Sequence, residues 1–201
     1  MSLADHILRR LRGHGRGFVF TASDLLDLGT RAGVDQALAR LVHADLIRRL
    51  DRGVYDLPRI HPKVGPLLPS ADAVAGAVAR QTDSHLKASG PLAANALGLS
   101  TQVPAHADYL TDGPSRTVRV GRLLVALKHA GRIDMLLPGT TAGLAIVALR
   151  YLGRDGITAD VLRRLSLALN DADRALLLQV RRQLPGWLGQ TVAQLAPMAT
   201  V

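Results

Sequence analysis

The proline-rich segment at residues 58–69 constrains the fold of this chain more than any other feature of its sequence. Proline fixes φ and has no backbone N–H, so neither a continuous helix nor a central strand can cross such a segment. We therefore predict a linker here, between a domain of residues 1–57 and a domain of residues 70–201. The prediction rests on Pro58, Pro62, Pro66, Pro69 and Gly65.

The first 57 residues carry the signals of three helices followed by a β-hairpin. Ser2, Thr21 and Thr30 are suited to cap three successive helices, of which the second is expected to end at Gly29. In the third helix, one side is apolar and is expected to be buried; it consists of Val34, Leu38 and Leu41, flanked by Ala37 and Val42. Two short strands follow, around the turn Asp51-Arg52-Gly53. This order is that of a winged helix-turn-helix domain, which places its third helix in the DNA major groove.

The other side of the third helix predicts a surface that reads DNA. Gln36, Arg40 and His43 point outward together with two alanines, whose small side chains permit close approach to a groove wall. Arginine suits a guanine edge or a phosphate, and glutamine suits an adenine edge. The candidate DNA-binding residues are Thr30, Arg31, Gln36, Arg40 and His43 in the helix, and Arg48, Arg49 and Arg52 in the hairpin.

The charge of the chain also favours a polyanionic partner. The formal net charge is +9 and the sequence pI is about 11.1, with 22 arginines, 3 lysines, 16 aspartates and no glutamate. Residues 1–60, however, hold 10 arginines against 7 aspartates, so the excess charge is not concentrated in the predicted DNA-binding domain. Double-stranded DNA is the expected partner, and a winged helix that docks protein is the alternative.

Residues 70–201 predict a mixed domain, so that the whole chain has an α+β fold. Ser70 is suited to cap a helix, and a short helix is expected over residues 92–97. Strands are predicted at 103–111, 117–120 and 123–127, in a small antiparallel sheet. The rest of the domain is expected to consist of C-terminal helices at 142–152, 159–169, 171–184 and 187–195.

The sequence shows no constellation of catalytic or metal-binding residues. Cysteine is absent, and none of the seven histidines pairs with another at a spacing typical of metal ligands. We therefore expect no enzyme activity, no metal and no cofactor. An enzyme that acts on nucleic acid is the third alternative, and it would need a carboxylate cluster that the sequence does not show.

Two segments of the second domain, 97–105 and 109–116, are rich in hydroxyl, amide and guanidinium groups and in turn-forming residues. They suit either a partner surface or turns that join strands. The candidate partner-binding residues are Ser100, Thr101, Gln102, Tyr109, Asp112 and Arg116.

These two segments, together with the segment 52–58 (Arg-Gly-Val-Tyr-Asp-Leu-Pro), resemble the AbiEi family of antitoxins from bacterial abortive-infection systems. The resemblance extends end to end and loosens after about residue 155. It implies a winged helix-turn-helix domain that represses its own operon and a second domain that counters a nucleotidyltransferase-like toxin. It implies no catalytic residue. A winged-helix interaction module, or a general regulator without a toxin partner, stays the alternative.

The N-terminus shows no basic segment followed by an apolar run, and no stretch of the sequence is long and apolar enough to span a membrane. We therefore expect a cytoplasmic protein without a membrane partner. If its operator is an inverted repeat, we expect two copies on each site.

Overall fold

The computed structural model describes residues 2–102 and 106–195, which form a mixed α+β fold with small antiparallel sheets. The predicted strand start at 103–105 lies outside the described residues. None of the described helices is long and apolar enough to cross a membrane. The helices are α1 Leu3–His14, α2 Arg31–His43, α3 Ala71–Gln81, α4 Gly90–Ala96, α5 Thr141–Leu152, α6 Ala159–Ala168, α7 Asp171–Val180 and α8 Gly186–Gln194. The strands are β1 Val19–Thr21, β2 Arg48–Asp51, β3 Val54–Asp56, β4 Ile60–His61, β5 Gly65–Pro66, β6 Leu86–Ala88, β7 Ala107–Thr111, β8 Arg116–Val120 and β9 Leu123–His129.

The chain divides into two compact units. The first unit consists of Met1–Ser84 and Arg116–Ala126, and the second of His85–Ser115 and Leu127–Val201. This division differs from the predicted boundary at residues 58–69, since α3 and residues 116–126 both count with the first unit.

The first unit is built around α1, α2 and a three-stranded antiparallel sheet of order β1-β3-β2. The caps predicted at Ser2 and Thr30 are confirmed, because each hydroxyl accepts a hydrogen bond from a backbone N–H in the first turn of its helix. The predicted apolar side of α2 is buried as well. The core of the unit includes Ile7, Leu11, Phe20, Leu25, Val34, Leu38 and Leu41.

The second predicted helix is shorter than expected. Thr21 precedes a single 3-10 turn, Ala22–Leu25, instead of a helix that continues to Gly29. The Asp24 carboxylate accepts hydrogen bonds from the backbone N–H (2.8 Å) and hydroxyl (3.3 Å) of Thr21. These bonds give the N–H and the hydroxyl of Thr21 a partner within the turn itself. Thr21 lies at the predicted start of the element, but the predicted length was wrong.

The proline-rich segment contains a small β-hairpin, in which β4 pairs with β5. After it, α3 begins at the predicted cap Ser70, whose hydroxyl accepts from Ala73 N at 3.2 Å. Arg80, in the last turn of α3, donates to the Asp24 carboxylate (3.0 Å) and to the Val19 carbonyl (2.9 Å). These contacts tie α3 to β1 and to the 3-10 turn of the first unit.

The helices of the second unit pack around a large apolar core that includes Ile146, Leu149, Leu165, Leu177 and Leu188. α4 and α5 approach closely, since a Cβ at Gly90 would overlap the Tyr151 ring. Thr158 and Asn170 cap α6 and α7, because the side chain of each accepts a hydrogen bond from a backbone N–H in the first turn of its helix. Two strands of this unit, β6 and β7, pair antiparallel, and β6 was not predicted from the sequence.

Candidate nucleic-acid interface

The exposed side of α2 carries the polar residues that the helical spacing predicts. Thr30 holds the start of the helix, where its Oγ accepts a hydrogen bond from Gly33 N at 3.2 Å. Gln36, Arg40 and His43 are all exposed, as are the two alanines on the same side, Ala32 and Ala39. Small side chains between longer polar ones let a flat or grooved partner approach the helix backbone closely.

Arg31, in the first turn of α2, forms an exposed ion pair with Asp35 one turn later, with Nε 2.9 Å from Oδ2. Their side chains are 60% and 49% exposed. Exposed pairs of this kind contribute little to stability. The Arg31 guanidinium can therefore exchange this partner for another anion at small cost.

The β2-β3 hairpin presents Arg49 and Arg52 to solvent. Its turn includes Gly53, whose φ of +71° is readily adopted only by glycine. Arg49 Nε lies 3.5 Å from the carbonyl of Asp51, and the Arg52 backbone N–H donates to the Asp51 carboxylate at 2.6 Å. Neither arginine side chain is in an ion pair among those of the described residues.

Arg48 does not share this environment, although it was expected to meet phosphates. Successive side chains of a strand point to opposite faces, and Arg48 points the other way from Arg49. Its Nε donates to Asp56 Oδ1 at 3.0 Å and its Nη2 to Asp56 Oδ2 at 2.6 Å, while Nη2 also reaches the Leu67 carbonyl at 2.8 Å. Asp56 is only 1% exposed. The Arg48 guanidinium is therefore engaged inside the first unit, and we leave it out of the candidate interface.

A cavity of about 410 Å³ brings together residues that are far apart in sequence. Three arginines line it: Arg31 from α2, Arg52 from the hairpin turn and Arg116 from β8. Arg116 Nη1 donates to Gln81 Oε1 at 2.5 Å, and its Nη2 donates to the Arg52 carbonyl at 2.7 Å. Sequence reasoning assigned Arg116 to a partner surface, because no local pattern shows that β8 lies beside the hairpin.

Asp51 joins the hairpin turn to β8 and is the acidic residue among those that line the cavity. Its carboxylate accepts hydrogen bonds from the backbone N–H groups of Arg119 (2.8 Å) and Arg52 (2.6 Å). The pKa of Asp51 is lowered by the N–H of Arg119, then by that of Arg52, and further by the nearby Arg116 and Arg49 cations. The carboxylate thus stays ionised and holds the backbone of Arg52 and Arg119 in place through these hydrogen bonds.

The segment 97–102 of the second unit is held together by its own hydrogen bonds. The Asn95 side-chain amide donates to the carbonyls of Ser100 (3.3 Å) and Gln102 (3.2 Å), and the Ser100 hydroxyl accepts from Gln102 N at 3.2 Å. Thr101 and Gln102 remain exposed. Residues 103–105, which belong to the same predicted partner segment, lie outside the described residues.

The other predicted partner residues of the second unit have different environments. Tyr109 is only 5% exposed, so it is packed into the unit and is not available to a partner at the surface. Asp112 is exposed and accepts hydrogen bonds from the backbone N–H and the ring Nδ1 of His85, both at 2.8 Å. This contact with His85 lowers the pKa of Asp112. Tyr109 is therefore left out of the candidate partner residues, and Arg116 belongs to the first unit.

Within the described ranges, no group of three or more histidine or aspartate side chains is placed to hold a metal ion. A model of one protein family, a family of unknown function (DUF6088), matches residues 6–175. No curated protein and no solved structure matches the chain.

Proposed function

The chain belongs to the DUF6088 family, and we propose that it is a cytoplasmic antitoxin that binds its own promoter DNA as a transcriptional repressor. The first unit is the DNA-binding part, and it acts as a winged helix-turn-helix. The second unit counters a nucleotidyltransferase-like toxin. No catalytic step is required of the chain.

The observation that carries the DNA-binding proposal is the exposed polar side of α2 next to two arginines of the hairpin. A helix that is to enter the major groove must be fixed on its inner side and uncrowded on its outer side. α2 meets both conditions, because Val34 and Leu38 are fully buried and Gln36 and Arg40 are exposed. The formal net charge of +9 supports attraction to DNA in addition.

In this arrangement the two elements have different tasks. Gln36 contacts a base edge in the major groove, where glutamine pairs with adenine, and Arg40 contacts a guanine edge or a phosphate. Thr30, Arg31 and His43 lie at the two ends of the same helix and contact the groove walls. Arg49 and Arg52 contact phosphates, which position the protein and carry no sequence information.

The antitoxin half of the proposal rests on the resemblance of the segments 52–58, 97–105 and 109–116 to AbiEi antitoxins. The described part of the second unit supplies exposed polar groups for a partner in Thr101, Gln102 and Asp112. Co-expression of this chain with a nucleotidyltransferase-like toxin from a neighbouring gene should restore bacterial growth. If the toxin arrests growth equally with and without this chain, the antitoxin assignment is wrong.

The DNA-binding assignment is tested by the double variant Arg40→Ala/Arg49→Ala in a salt-titrated gel shift. Each lost phosphate contact reduces the slope of log K against log salt by about 0.9. We expect weaker binding and a slope reduced by about 0.9 to 1.8, depending on whether Arg40 contacts a base or a phosphate. The control is Arg154→Ala, which removes an exposed arginine of the second unit. If the double variant binds like the wild type, the assignment of these residues fails.

The same titration separates DNA binding from protein docking by the first unit. Binding to duplex DNA weakens steeply as salt rises, whereas an interface between proteins is much less sensitive to salt. Salt-insensitive behaviour would favour the interaction module.

A further inference from the structure

We propose that β8 is a third DNA-contacting element, in which Arg116 and Arg119 bind backbone phosphates beside the hairpin turn. This inference rests on the proposed DNA binding and extends it to a segment that lies 64 residues after Arg52. It also gives a role to Arg116, which was predicted to bind a partner of the second domain but belongs to the first unit.

The first argument is the way in which Arg116 is held. Its two described hydrogen bonds go to neutral acceptors, the Gln81 side-chain oxygen and the Arg52 carbonyl. Among the ion pairs of the described residues, none includes Arg116. Neutral partners orient a guanidinium without neutralising it. Arg116 is therefore a fixed cation that forms no ion pair among the described residues, although it lies close enough to Asp51 to help lower the pKa of that carboxyl.

The second argument is the alternation along β8. Val118 and Val120 are buried, whereas Thr117 and Arg119 are exposed on the opposite face. Arg116, at the start of the strand, is half-buried on the side of the valines and reaches the hairpin turn through its bond to the Arg52 carbonyl. The backbone N–H of Arg119 is bound by the Asp51 carboxylate at 2.8 Å. Since Asp51 also holds the N–H of Arg52, the exposed face of β8 is anchored directly to the hairpin turn.

The third argument is the charge of the cavity of about 410 Å³ that β8 completes. Its lining residues include three arginines, Arg31, Arg52 and Arg116, and one aspartate, Asp51, so cationic residues outnumber the anionic one three to one. Both oxygens of Asp51 already accept backbone hydrogen bonds. Arginine forks match phosphate oxygens with two parallel hydrogen bonds.

Continuity with α2 and the hairpin identifies the occupant as a DNA phosphate. Arg31 and Arg52 belong both to this cavity and to the proposed interface. A duplex held by α2 in its major groove presents backbone phosphates next to the hairpin. The arginines of β8 extend that row of phosphate contacts.

The inference is tested by measuring duplex binding by fluorescence anisotropy between 50 and 200 mM NaCl for the full chain and for Arg116→Ala, Arg119→Ala and Thr117→Arg. For one phosphate contact, the slope changes by about 0.9, which corresponds to about 3.5-fold in affinity over this salt range. We expect Arg116→Ala and Arg119→Ala each to reduce the slope of log K against log salt by about 0.9. Thr117→Arg should increase the slope by the same amount, because it adds a cation to the exposed face of β8. Arg154→Ala is the matched control.

The variants also separate phosphate binding from a structural role. Arg116→Ala removes two hydrogen bonds that hold the fold, so its thermal midpoint is measured alongside. Arg119→Ala and Thr117→Arg change only exposed side chains. If Arg116→Ala proves less stable than the wild type, these two variants decide whether β8 binds phosphates. A structural role would lower affinity equally at every salt concentration and leave the slope unchanged.

If Arg40→Ala/Arg49→Ala reduces the slope while all three β8 variants keep the wild-type slope, the role of β8 is refuted and DNA binding by α2 and the hairpin stands. If the unmodified chain shows no salt-sensitive DNA binding, both proposals are refuted.

Discussion

Arg48 and Arg49 are neighbours in β2 with opposite environments. Arg48 is bound at two nitrogens by Asp56, a carboxylate that is 1% exposed, whereas Arg49 faces solvent. A buried carboxylate needs a charged or hydrogen-bonding partner, because ionisation without one is costly in a medium of low polarity. The pair therefore stabilises the hairpin and leaves Arg49 for the proposed interface.

We predict that Asp56→Ala lowers the free energy of unfolding by about 3 kcal/mol, because it leaves the half-buried Arg48 without its partner. The matched control is Asp35→Ala, which removes the exposed partner of Arg31 and should cost no more than about 0.5 kcal/mol. Urea denaturation followed by circular dichroism measures both. Equal losses in the two variants would contradict the structural role of Asp56.

Lys87 is a buried cation in the second unit. Its side chain is 4% exposed, and Nζ donates to the carbonyls of Asp134 (2.6 Å) and Leu136 (2.8 Å). Burial disfavours the charged form and lowers the pKa from 10.5 to about 8, although the nearby Asp134 opposes this shift. A neutral amine still has two N–H groups, which match the two carbonyl acceptors.

Because the pKa of Lys87 is lowered, we predict that the free energy of unfolding rises with pH. Between pH 8 and 10.5 the unfolded chain binds a proton at this side chain that the folded chain has released, so folding gains free energy as pH rises through this window. Relative to Lys87→Met, the wild type should gain on the order of 3 kcal/mol from pH 8 to 10.5 and show no trend below pH 8. Urea denaturation of both proteins at several pH values measures the difference. If the difference in free energy of unfolding between the two proteins is the same at every pH, the lowered pKa of Lys87 is refuted.

At the scale of elements, α3 is joined to the first unit by Arg80. Besides its bonds to Asp24 and Val19, the Arg80 guanidinium lies 5.3 Å from the centre of the Phe18 ring, a cation–π distance. The buried side of α3 includes Val74, Ala77 and Val78. The helix thus packs as part of the first unit, although the prolines before it predict a linker.

We predict that Arg80→Ala lowers the free energy of unfolding by about 1 to 2 kcal/mol, since it removes two hydrogen bonds and the contact with Phe18, all partly exposed to water. Arg31→Ala serves as the control, because its only described ion pair is an exposed one within a single helix. The urea midpoint of each variant gives the comparison. If both variants shift the midpoint by the same small amount, α3 is not held by Arg80.

The elements that the sequence predicts well are those that local chemistry determines. Thr30 and Ser70 cap their helices through bonds to residues three positions later, and such spacing is visible in the sequence. The environments of Arg48 and Arg116 could not be predicted in this way. The partner of Arg48 depends on the register of β2 with β3, and those of Arg116 are 35 and 64 residues away.

At the scale of the whole molecule, the first unit is discontinuous, since it combines Met1–Ser84 with Arg116–Ala126. A division at one linker cannot describe such a unit. The discontinuity also bears on charge: the strand β8 and the residues after it add Arg116, Arg119 and Arg122 to the first unit and no acidic residue. These three arginines add to the small positive charge of residues 1–60, which hold 10 arginines and 7 aspartates.

The measurement that tests the central claim most directly is a salt-titrated gel shift of the full chain on its own upstream DNA and on a random duplex. We expect its own DNA to bind at least about 10³-fold more tightly than the random duplex, with affinity that falls steeply as salt rises. Equal and weak binding to both duplexes, or binding that salt does not change, would contradict the claim that this chain is a DNA-binding repressor.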